Sequence, residues 1–475
     1  MGLVLYNDLT KEKEKFVPIR EGHVSFYSCG PTVYDYFHIG NARPFIVFDV
    51  LRRYLEHLGY QVAFVQNFTD IDDKMIRRAD EEGVTVEQLA DRFIAEYEKD
   101  AAALGIHRPT VAPRATRHIP EIIAMIQKDI DKGHAYEVRT PSGNGDVYFD
   151  VRSYPPYGKL SKQSLDELEA GARVEVGEIK RSPLDFALWK AEKPGESSWD
   201  SPWGKGRPGW HIECSAMSTK YLGETIDIHS GGEDLVFPHH ENEVAQAEAA
   251  TGKPFVRYWL HNGFLLIDKE KMSKSLGNFM TARAAREKYP PLAIRLFMLS
   301  AHYRSPINFA PEGLEQSAGG VTRLRNCWAD LLHARANRQG EAAVEAFVKE
   351  LELLDVSFHE VMNDDFNTAA GIGVLFEMVK LINTWLKEHD RLPASFFDSA
   401  MEKLRKLDEV LGVIGIDEAK DAEADEIEAL IEERNAARKA KNFARSDEIR
   451  DILSARGIVL EDTAHGTKWK RKLSV

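Results

Sequence analysis

The spacing of apolar positions along the first seventy residues predicts a strand, a helix and a second strand. Residues 23–28 alternate between apolar and polar side chains, as a half-buried strand does, and Gly30 with Pro31 ends the run. Apolar residues recur at helical spacing over residues 41–60, with Pro44 in the first turn. Residues 61–66 are again typical of a strand. The pattern predicts a parallel βαβ unit, whose ligand site should lie at the carboxyl ends of its strands.

Later patterns divide the remainder of the chain. A helical and then mixed stretch rich in Gly, Pro and Ser indicates an insertion, after which a strand at residues 225–229 resumes the sheet. Beyond Tyr289 the pattern is almost wholly helical. We therefore expect an α/β fold, with a Rossmann-type parallel-sheet catalytic domain, an inserted connective domain, an all-α helical bundle and a small C-terminal domain. The expected boundaries are 1–116 and 210–270 for the halves of the catalytic domain, 117–209 for the insertion, 271–325 for a loop and stem-contact region, 326–416 for the bundle and 417–475 for the C-terminal domain.

Composition narrows the class of protein. A chain of 475 residues is too long to form a single hydrophobic core. It contains no uninterrupted apolar run long enough to span a membrane, and its N-terminus lacks the basic and then apolar segments of a signal peptide. We therefore expect a cytoplasmic protein without a membrane partner. Its three cysteines are too far apart for a disulfide framework.

Charge is unevenly distributed. The net charge is −14, yet residues 434–475 hold 11 lysines and arginines against five acids. Such a run is most often the solvated face of a helix. Trp469 among the lysines favours RNA instead, because bases stack on aromatic rings. We expect tRNA contacts from Arg434, Arg438, Lys441, Lys468, Trp469 and Lys470.

Two short segments carry residues suited to phosphate chemistry. Lys271 and Lys274 flank small hydroxyl residues on a predicted loop, and two close ammonium groups suit a polyphosphate on which charge builds. His38 and Gly40 lie at the predicted start of the first helix, where the partial positive charge favours phosphate and the missing Cβ admits a nucleotide. Taken alone, His38 is as easily explained as a helix cap. Together the two segments resemble the HIGH and KMSKS signatures of class I aminoacyl-tRNA synthetases.

A second group of residues suits a metal ion. His239 and Glu243 are four residues apart, so a helix would place both on one face. Cys29 and Cys214 would add two soft ligands and complete a zinc set. Spacing alone does not separate this set from two buried cysteines and a surface pair, nor does it decide between His239 and His240.

From end to end the chain resembles the cysteinyl-tRNA synthetase family. The matching stretches are Cys29–Asp35, Asn67–Lys74, Gly209–Met217, Phe237–Glu243, Glu270–Asn278, Leu299–Pro306, Leu460–Thr463 and Gly466–Trp469. The resemblance implies one zinc ion at Cys29, Cys214, His239 and Glu243, and catalysis by His38, Lys271 and Lys274. It also implies ATP, with Mg²⁺, at Pro31, Thr32, His38, Gly40, Asn41, Lys271 and Lys274. The expected contacts to L-cysteine are Gly30, Thr69, Trp210, His229 and Asp234.

The implied activity is that of a cysteine–tRNA ligase, expected to be a monomer that uses ATP, L-cysteine and tRNA(Cys). One departure is Asn41, where the HIGH signature ends in histidine, although Asn still offers a donor. The alternatives are a ligase that joins cysteine to an amino sugar, whose members lack the C-terminal tail, and a non-catalytic tRNA-binding paralogue, which the intact motifs disfavour. A nicotinamide dehydrogenase is excluded, because no GxGxxG turn follows the first strand.

Overall fold

The computed structural model describes residues 2–139, 143–165, 167, 180–267, 270–271, 279–338, 340–416, 424–463 and 466–471. The chain forms two compact units, residues 2–283 with 303–308, and residues 284–302 with 309–475. The first unit is α/β and the second is built mainly of helices, which confirms the predicted fold class.

The strands of the first unit are β1 (Val4–Asn7), β2 (Glu12–Lys15), β3 (His23–Ser28), β4 (Gln61–Gln66), β5 (Ala135–Arg139), β6 (Gly145–Phe149), β7 (Phe186–Ala191), β8 (Gly206–Pro208), β9 (Ile226–Gly232), β10 (Val256–Asn262), β11 (Leu265–Ile267), β12 (Glu270–Lys271) and β13 (Ile307–Asn308). Its helices are α1 (Ile39–His57), α2 (Asp73–Glu82), α3 (Val86–Ala103), α4 (Ile119–Asp131), α5 (Trp210–Leu222) and α6 (Glu241–Thr251), and α7 (Ala282–Lys288) begins at its end. Short helical turns join several of them.

A four-stranded parallel sheet organises this unit. The strand order is β10-β9-β3-β4, and β3 pairs with β4 in register from His23 opposite Gln61 to Ser28 opposite Gln66. Helix α1 connects these two strands, so the predicted βαβ unit is confirmed. The helix begins two residues earlier than predicted, because the side chain of His38 caps it. Pro44 therefore lies inside the helix rather than in its first turn, and the helical bond to the Gly40 carbonyl is not made.

The insertion packs around a core that it shares with helices α5 and α6. Helix α4 is followed by an antiparallel sheet of order β5-β6-β7-β8, which is more regular than the mixed pattern predicted. Apolar side chains from both elements form one cluster, with Ile122, Val147, Phe149 and Trp189 fully buried. Helices α5 and α6 then return the chain to the parallel sheet on either side of β9.

The second unit contains α8 (Pro291–Leu299), α9 (Pro311–Asn337), α10 (Glu345–Asn363), α11 (Thr368–Glu388), α12 (Ala394–Leu411), α13 (Ala424–Lys439) and α14 (Phe443–Ala455), with the hairpin β14 (Ile458–Thr463) and β15 (Gly466–Arg471). By length and composition alone, helix α11 could span a membrane. The sequence pattern had indicated no apolar run of that length. Its apolar face, which includes Leu375, Met378 and Ile382, is buried within the bundle. Residues of α13, α14 and the hairpin form a separate small core.

Candidate active site and metal centre

A cavity of about 310 Å³ lies at the carboxyl ends of three strands of the parallel sheet. Cys29 follows β3, Gly232 ends β9 and Asn262 ends β10, and all three residues line the cavity. This is where a parallel α/β sheet holds its ligands. The residues named from the sequence that line it are Cys29, Gly30, Pro31, Thr32, His38, Gly40, Asn41, Trp210 and Asp234. Thr69 and His229 are buried and do not line it.

The start of α1 forms one wall. Nδ1 of His38 accepts the backbone N–H of Asn41 at 3.2 Å, so the neutral ring carries its proton on Nε2. A backbone bridge joins His38 to Thr281, and the N–H groups of Ile39 and Ala282 donate across it. The segment that precedes α7 is thereby fixed beside the helix N-terminus. Lys274 and the side chain of Lys271 lie outside the described part of the chain.

Four side chains converge beneath the cavity. Sγ of Cys29 lies 3.9 Å from Sγ of Cys214 and 3.5 Å from Oε1 of Glu243. Nε2 of His239 lies 3.0 Å from the same carboxylate oxygen, as expected for a pair four residues apart. All four residues are buried, and their donor atoms lie within 4.8 Å of one another. The structure thus brings together the four residues named from the sequence.

A second set of four shares two of these residues. Cys29, His229, His240 and Glu243 also place their donor atoms within 4.8 Å of one another. Nε2 of His240 lies 3.3 Å from Sγ of Cys29, and Nε2 of His229 lies 2.9 Å from Oε2 of Glu243. Spacing left His239 and His240 as alternative metal ligands. In the structure each of them belongs to a different one of these two neighbouring donor sets.

Other histidines orient both candidates. Nδ1 of His239 lies 2.8 Å from Nδ1 of His211, while Nδ1 of His240 lies 2.8 Å from Nε2 of His261. The Trp210 ring stacks on His239 with ring centroids 4.1 Å apart. Since a metal-binding histidine usually bonds through its other nitrogen to a partner that fixes the ring, both rings are held as ligands would be.

The charges of the cluster depend on one another: burial lowers the pKa of His239, but Glu243 and Cys214 outweigh it and raise that pKa to about 10. Burial raises the pKa of Glu243, but the neighbouring His229 and His239 outweigh it and hold that pKa at about 2. The hydrogen bond with Cys29 lowers the pKa of Cys214 to about 7. Burial raises the pKa of Cys29 well above its usual value. The pocket therefore combines an ionised carboxylate with a readily ionised thiol, as a site for a divalent cation requires.

The donor set fits zinc. Tetrahedral bonds of 2.0 to 2.3 Å would place ligand atoms about 3.3–3.8 Å apart, close to the separations of 3.0, 3.5 and 3.9 Å found here. Two sulfur atoms, an imidazole and a carboxylate are donors that zinc accepts.

Gly30, which follows Cys29, lies in close contact with the backbone of Asn67. A Cβ at this position would lie 1.6 Å from the carbonyl oxygen of Asn67, so only glycine fits. The Gly30 N–H donates to Oδ1 of Asn67 at 3.0 Å. The chain is thus held against the neighbouring strand end, and this fixes Cys29.

Lys74 lines the cavity but was not among the site residues predicted from the sequence. It lines the cavity from the first turn of α2, and its Nζ lies 5.5 Å from the centroid of the Tyr34 ring, which also lines the cavity. The signal was present in the sequence, because Lys74 ends the matched stretch that begins at Asn67. It brings a positive charge to the wall of the cavity.

Two of the residues expected to contact tRNA are engaged inside the second unit. Trp469 is 6% exposed, packs in the small C-terminal core, and donates from its indole nitrogen to Oε1 of Glu428 at 2.9 Å. Arg434 is 5% exposed and contacts both carboxylate oxygens of Asp462. The expectation of an exposed Trp469 ring is corrected, because the alternation of β15 places Thr467 and Trp469 on its buried face.

The other basic residues expected to contact tRNA are either exposed or have side chains outside the described part of the chain. Arg438 and Lys441 are exposed, although Arg438 also pairs with Asp462 at 2.5 Å. Phe443 is a 62% exposed aromatic residue close to them in sequence. The side chains of Lys468 and Lys470 lie outside the described part of the chain.

Three models of known families match successive parts of the chain. Residues 15–319 match the class I (C) tRNA synthetase catalytic domain. Residues 357–415 match the DALR domain, and residues 420–469 match the anticodon binding domain of cysteinyl-tRNA ligase. Together they match most of the chain, and residues 320–356 lie between the first two matches.

Similar proteins agree with these matches. The chain is 54% identical to the cysteine–tRNA ligase of Caldicellulosiruptor saccharolyticus over 98% of its length and 99% of that protein, and 55% identical to that of Brevibacillus brevis over 99% and 100%. Among solved structures, Mycobacterium tuberculosis methionyl-tRNA synthetase with methionyl-adenylate superposes with a TM-score of 0.60 at 16% identity, covering 82% of this chain and 90% of that one. The latter likeness shows the fold alone. The sequence matches and the site together establish that the chain belongs to the cysteine–tRNA ligase family of class I aminoacyl-tRNA synthetases.

Proposed function

We propose that this protein activates L-cysteine and transfers it to tRNA(Cys). The carboxylate of cysteine attacks the α-phosphate of Mg²⁺-bound ATP, which yields cysteinyl-adenylate and pyrophosphate. A hydroxyl of the 3′-terminal adenosine then takes the cysteinyl group and releases AMP. The observation that carries the proposal is that one cavity contains both the start of α1 at His38 and Cys29 of the buried donor cluster.

The half of the cavity that we assign to ATP provides hydrogen-bond donors and leaves space for the nucleotide. The Nε2–H of His38, at the start of α1, is suited to donate to phosphate oxygens as charge develops on them. Gly40 leaves room for the nucleotide, and Pro31, Thr32 and Asn41 line the same wall. Lys74 adds a described ammonium group, and we assign Lys271 and Lys274 the same task from their sequence motif.

The cysteine half is best explained by zinc at Cys29, Cys214, His239 and Glu243. This set contains both sulfur atoms, whereas the set with His240 contains one. A zinc ion held there would supply a position that favours the substrate thiolate over the hydroxyl of serine, which an apolar pocket rejects only about 10 to 200-fold. Trp210 and Asp234 line the cavity above it, where they are suited to contact the rest of the amino acid.

The tRNA half follows from the family matches and the exposed charges. We assign the helical bundle of residues 326–416 and the C-terminal domain of residues 417–475 to tRNA, and residues 117–209 to the connective insertion. Arg438, Lys441 and Phe443 replace Arg434 and Trp469 as the described residues suited to touch RNA. We expect a monomer acting in the cytoplasm, where tRNA is charged for translation.

Cysteine-dependent exchange of pyrophosphate into ATP tests the first step. His38→Ala should lower kcat of exchange on the order of 10² to 10³-fold with little change in the KM for cysteine, because its donor acts on charge that develops in the transition state. His57→Ala, at the opposite end of α1, is the matched control and should keep the wild-type rate. Exchange that proceeds equally with serine, or that does not respond to His38→Ala, would contradict the proposal.

A further inference from the structure

The side chain of Arg43 joins three segments of the first unit. Arg43 lies in α1, five residues after His38, and is fully buried. Its Nη1 donates to the backbone carbonyls of Gly263 at 2.6 Å and Phe264 at 2.9 Å. Its Nη2 donates to the backbone carbonyl of Ser305 at 2.5 Å. One guanidinium therefore holds the backbone of two segments that lie far from α1 in the sequence.

The two segments held by Arg43 also contact each other. The Gly263 N–H donates to the carbonyl of Tyr303 at 2.9 Å, and the Ile307 N–H donates to the carbonyl of Phe264 at 3.0 Å. A Cβ at Gly263 would lie 2.7 Å from the carbonyl oxygen of Arg304, which is too close for any side chain. Because the two backbones are in direct contact, a shift of one must move the other.

This junction supports two walls of the cavity described above. Gly263 and Phe264 line the cavity on one side, and Gly40 and Asn41 line it from α1. Arg43 does not line the cavity, so it joins these two walls from outside.

The strand that leaves the junction leads to the lysine motif. Strand β11 begins at Leu265, directly after the carbonyls that Arg43 binds, and it pairs with β13 through Leu265 opposite Ile307. It also pairs with β12, where Leu266 lies opposite Lys271. The backbone at Lys271 is therefore connected, through one short strand, to the carbonyls that Arg43 holds.

A guanidinium is suited to this task and an ammonium group is not. The planar fork of arginine carries donors on separate nitrogens, so it can bond two segments at once, whereas lysine offers a single point of attachment. Burial lowers the pKa of Arg43 to about 10, which still leaves the group charged at neutral pH. The charge strengthens each hydrogen bond to a carbonyl.

We propose that Arg43 is a positioning residue for the activation of cysteine, because it fixes the backbone that leads to Lys271 relative to His38 at the start of α1. The inference rests on the proposed function, which assigns both His38 and Lys271 to the phosphates of ATP. Arg43 acts through these two residues rather than by contact with ATP.

Rates per active site test this role. Pyrophosphate exchange is measured for the wild type, Arg43→Lys and Arg43→Met, and active sites are counted from the stoichiometric formation of cysteinyl-adenylate. In both variants kcat per active site should fall about 10 to 100-fold, because small displacements of reacting groups are costly. The KM for cysteine and the zinc content should not change. A purely structural role would reduce the number of active sites and the thermal stability, but would leave the rate per active site unaltered.

Arg295→Lys is the matched control. Arg295 is also fully buried, and its Nε donates to the backbone carbonyl of Leu411 at 2.7 Å within the second unit. This change should lower the thermal stability and keep the wild-type rate of exchange per active site.

A double-mutant cycle identifies the group through which Arg43 acts. In a Lys271→Ala protein, Arg43→Lys should reduce the rate per active site by a smaller factor than in the wild type, because the side chain whose position it controls is gone. Equal factors in the two backgrounds, or an unchanged rate per active site in Arg43→Lys, would overturn the inference. A wild-type protein that lacks cysteine-dependent exchange would instead defeat the proposed function.

Discussion

At the scale of single residues, the cluster of Cys29, Cys214, His239 and Glu243 shows what spacing can and cannot predict. The separation of His239 and Glu243 by four residues predicted a shared helix face, and the structure places their donor atoms 3.0 Å apart. Spacing did not distinguish His239 from His240, because both reach the same carboxylate. The partners that orient the two rings, His211 and His261, come from distant parts of the sequence. Which ring meets both sulfur atoms is therefore a tertiary property.

Metal content tests this assignment without reference to activity. The purified protein should contain one zinc per chain, and Cys214→Ser should lose most of it, because a serine hydroxyl is a far poorer zinc ligand than a thiolate. Cys327→Ser is a matched control, since Cys327 is equally buried in α9, far from the cluster in sequence. It should keep its zinc. A Cys214→Ser protein with full zinc, together with a zinc-free His240→Asn protein, would instead support the second set.

At the scale of elements, the active site depends on a junction that no local pattern reveals. The βαβ unit was predictable, because hydrophobic periodicity sets its strands and helix. The bridge between His38 and Thr281 joins segments more than two hundred residues apart. Arg283 strengthens this junction, with ion pairs to Glu96 at 2.5 Å and Asp100 at 3.1 Å and its guanidinium 4.4 Å from the centroid of the Tyr36 ring. It is a positioning residue for the start of α1.

Loss of this anchor should slow the reaction of cysteine with ATP. Arg283→Gln should reduce kcat/KM for ATP in pyrophosphate exchange by roughly 10 to 100-fold, since small displacements of reacting groups are costly. Arg92→Gln is the matched control, because Arg92 also pairs with a glutamate, Glu82, and lies over an aromatic ring, that of Phe93. Arg92→Gln should cost at most about 1 kcal/mol of unfolding free energy, the value of a surface ion pair, whereas Arg283→Gln should cost more, because it removes a charged partner from the buried Asp100 carboxylate. Equal exchange kinetics in the two variants would show that Arg283 does not position the site.

At the scale of the whole molecule, the uneven distribution of charge could be seen in the sequence. Which of the residues in the basic region are exposed to RNA could not. Residues 434–475 are basic in a chain of net charge −14, and the sequence alone suggested that Trp469 would stack on RNA. A small domain must bury its largest apolar residues to have a core, and Trp469 serves that purpose with Ile427, Ile431 and Leu453. Arg434 is likewise used internally, on Asp462. The surface left for RNA carries Arg438, Lys441 and Phe443.

Phe443 and the tail as a whole should therefore act on tRNA without affecting the activation of cysteine. Phe443→Ala should weaken tRNA binding by about 1–3 kcal/mol, the value of one stacked base, with pyrophosphate exchange unchanged. Val17→Ala is the control, because Val17 is also an exposed apolar residue, at 48%, but lies in the first unit, outside the regions assigned to tRNA. Trp469→Ala should instead lower the thermal stability of the C-terminal domain, as a core truncation does.

Deletion of residues 417–475 tests the same division on the largest scale. Because these residues include a core of their own, exchange should stay near the full-length rate, while charging should collapse through a raised KM for tRNA. The tRNA affinity of the full chain should fall steeply with added salt, since phosphate contacts release counterions, and the truncated chain should show a shallower dependence. Undiminished charging after the deletion would show that the tail does not bind the anticodon. Loss of exchange would show that the tail supports the fold of the catalytic unit, so that the boundary at residue 417 is wrong.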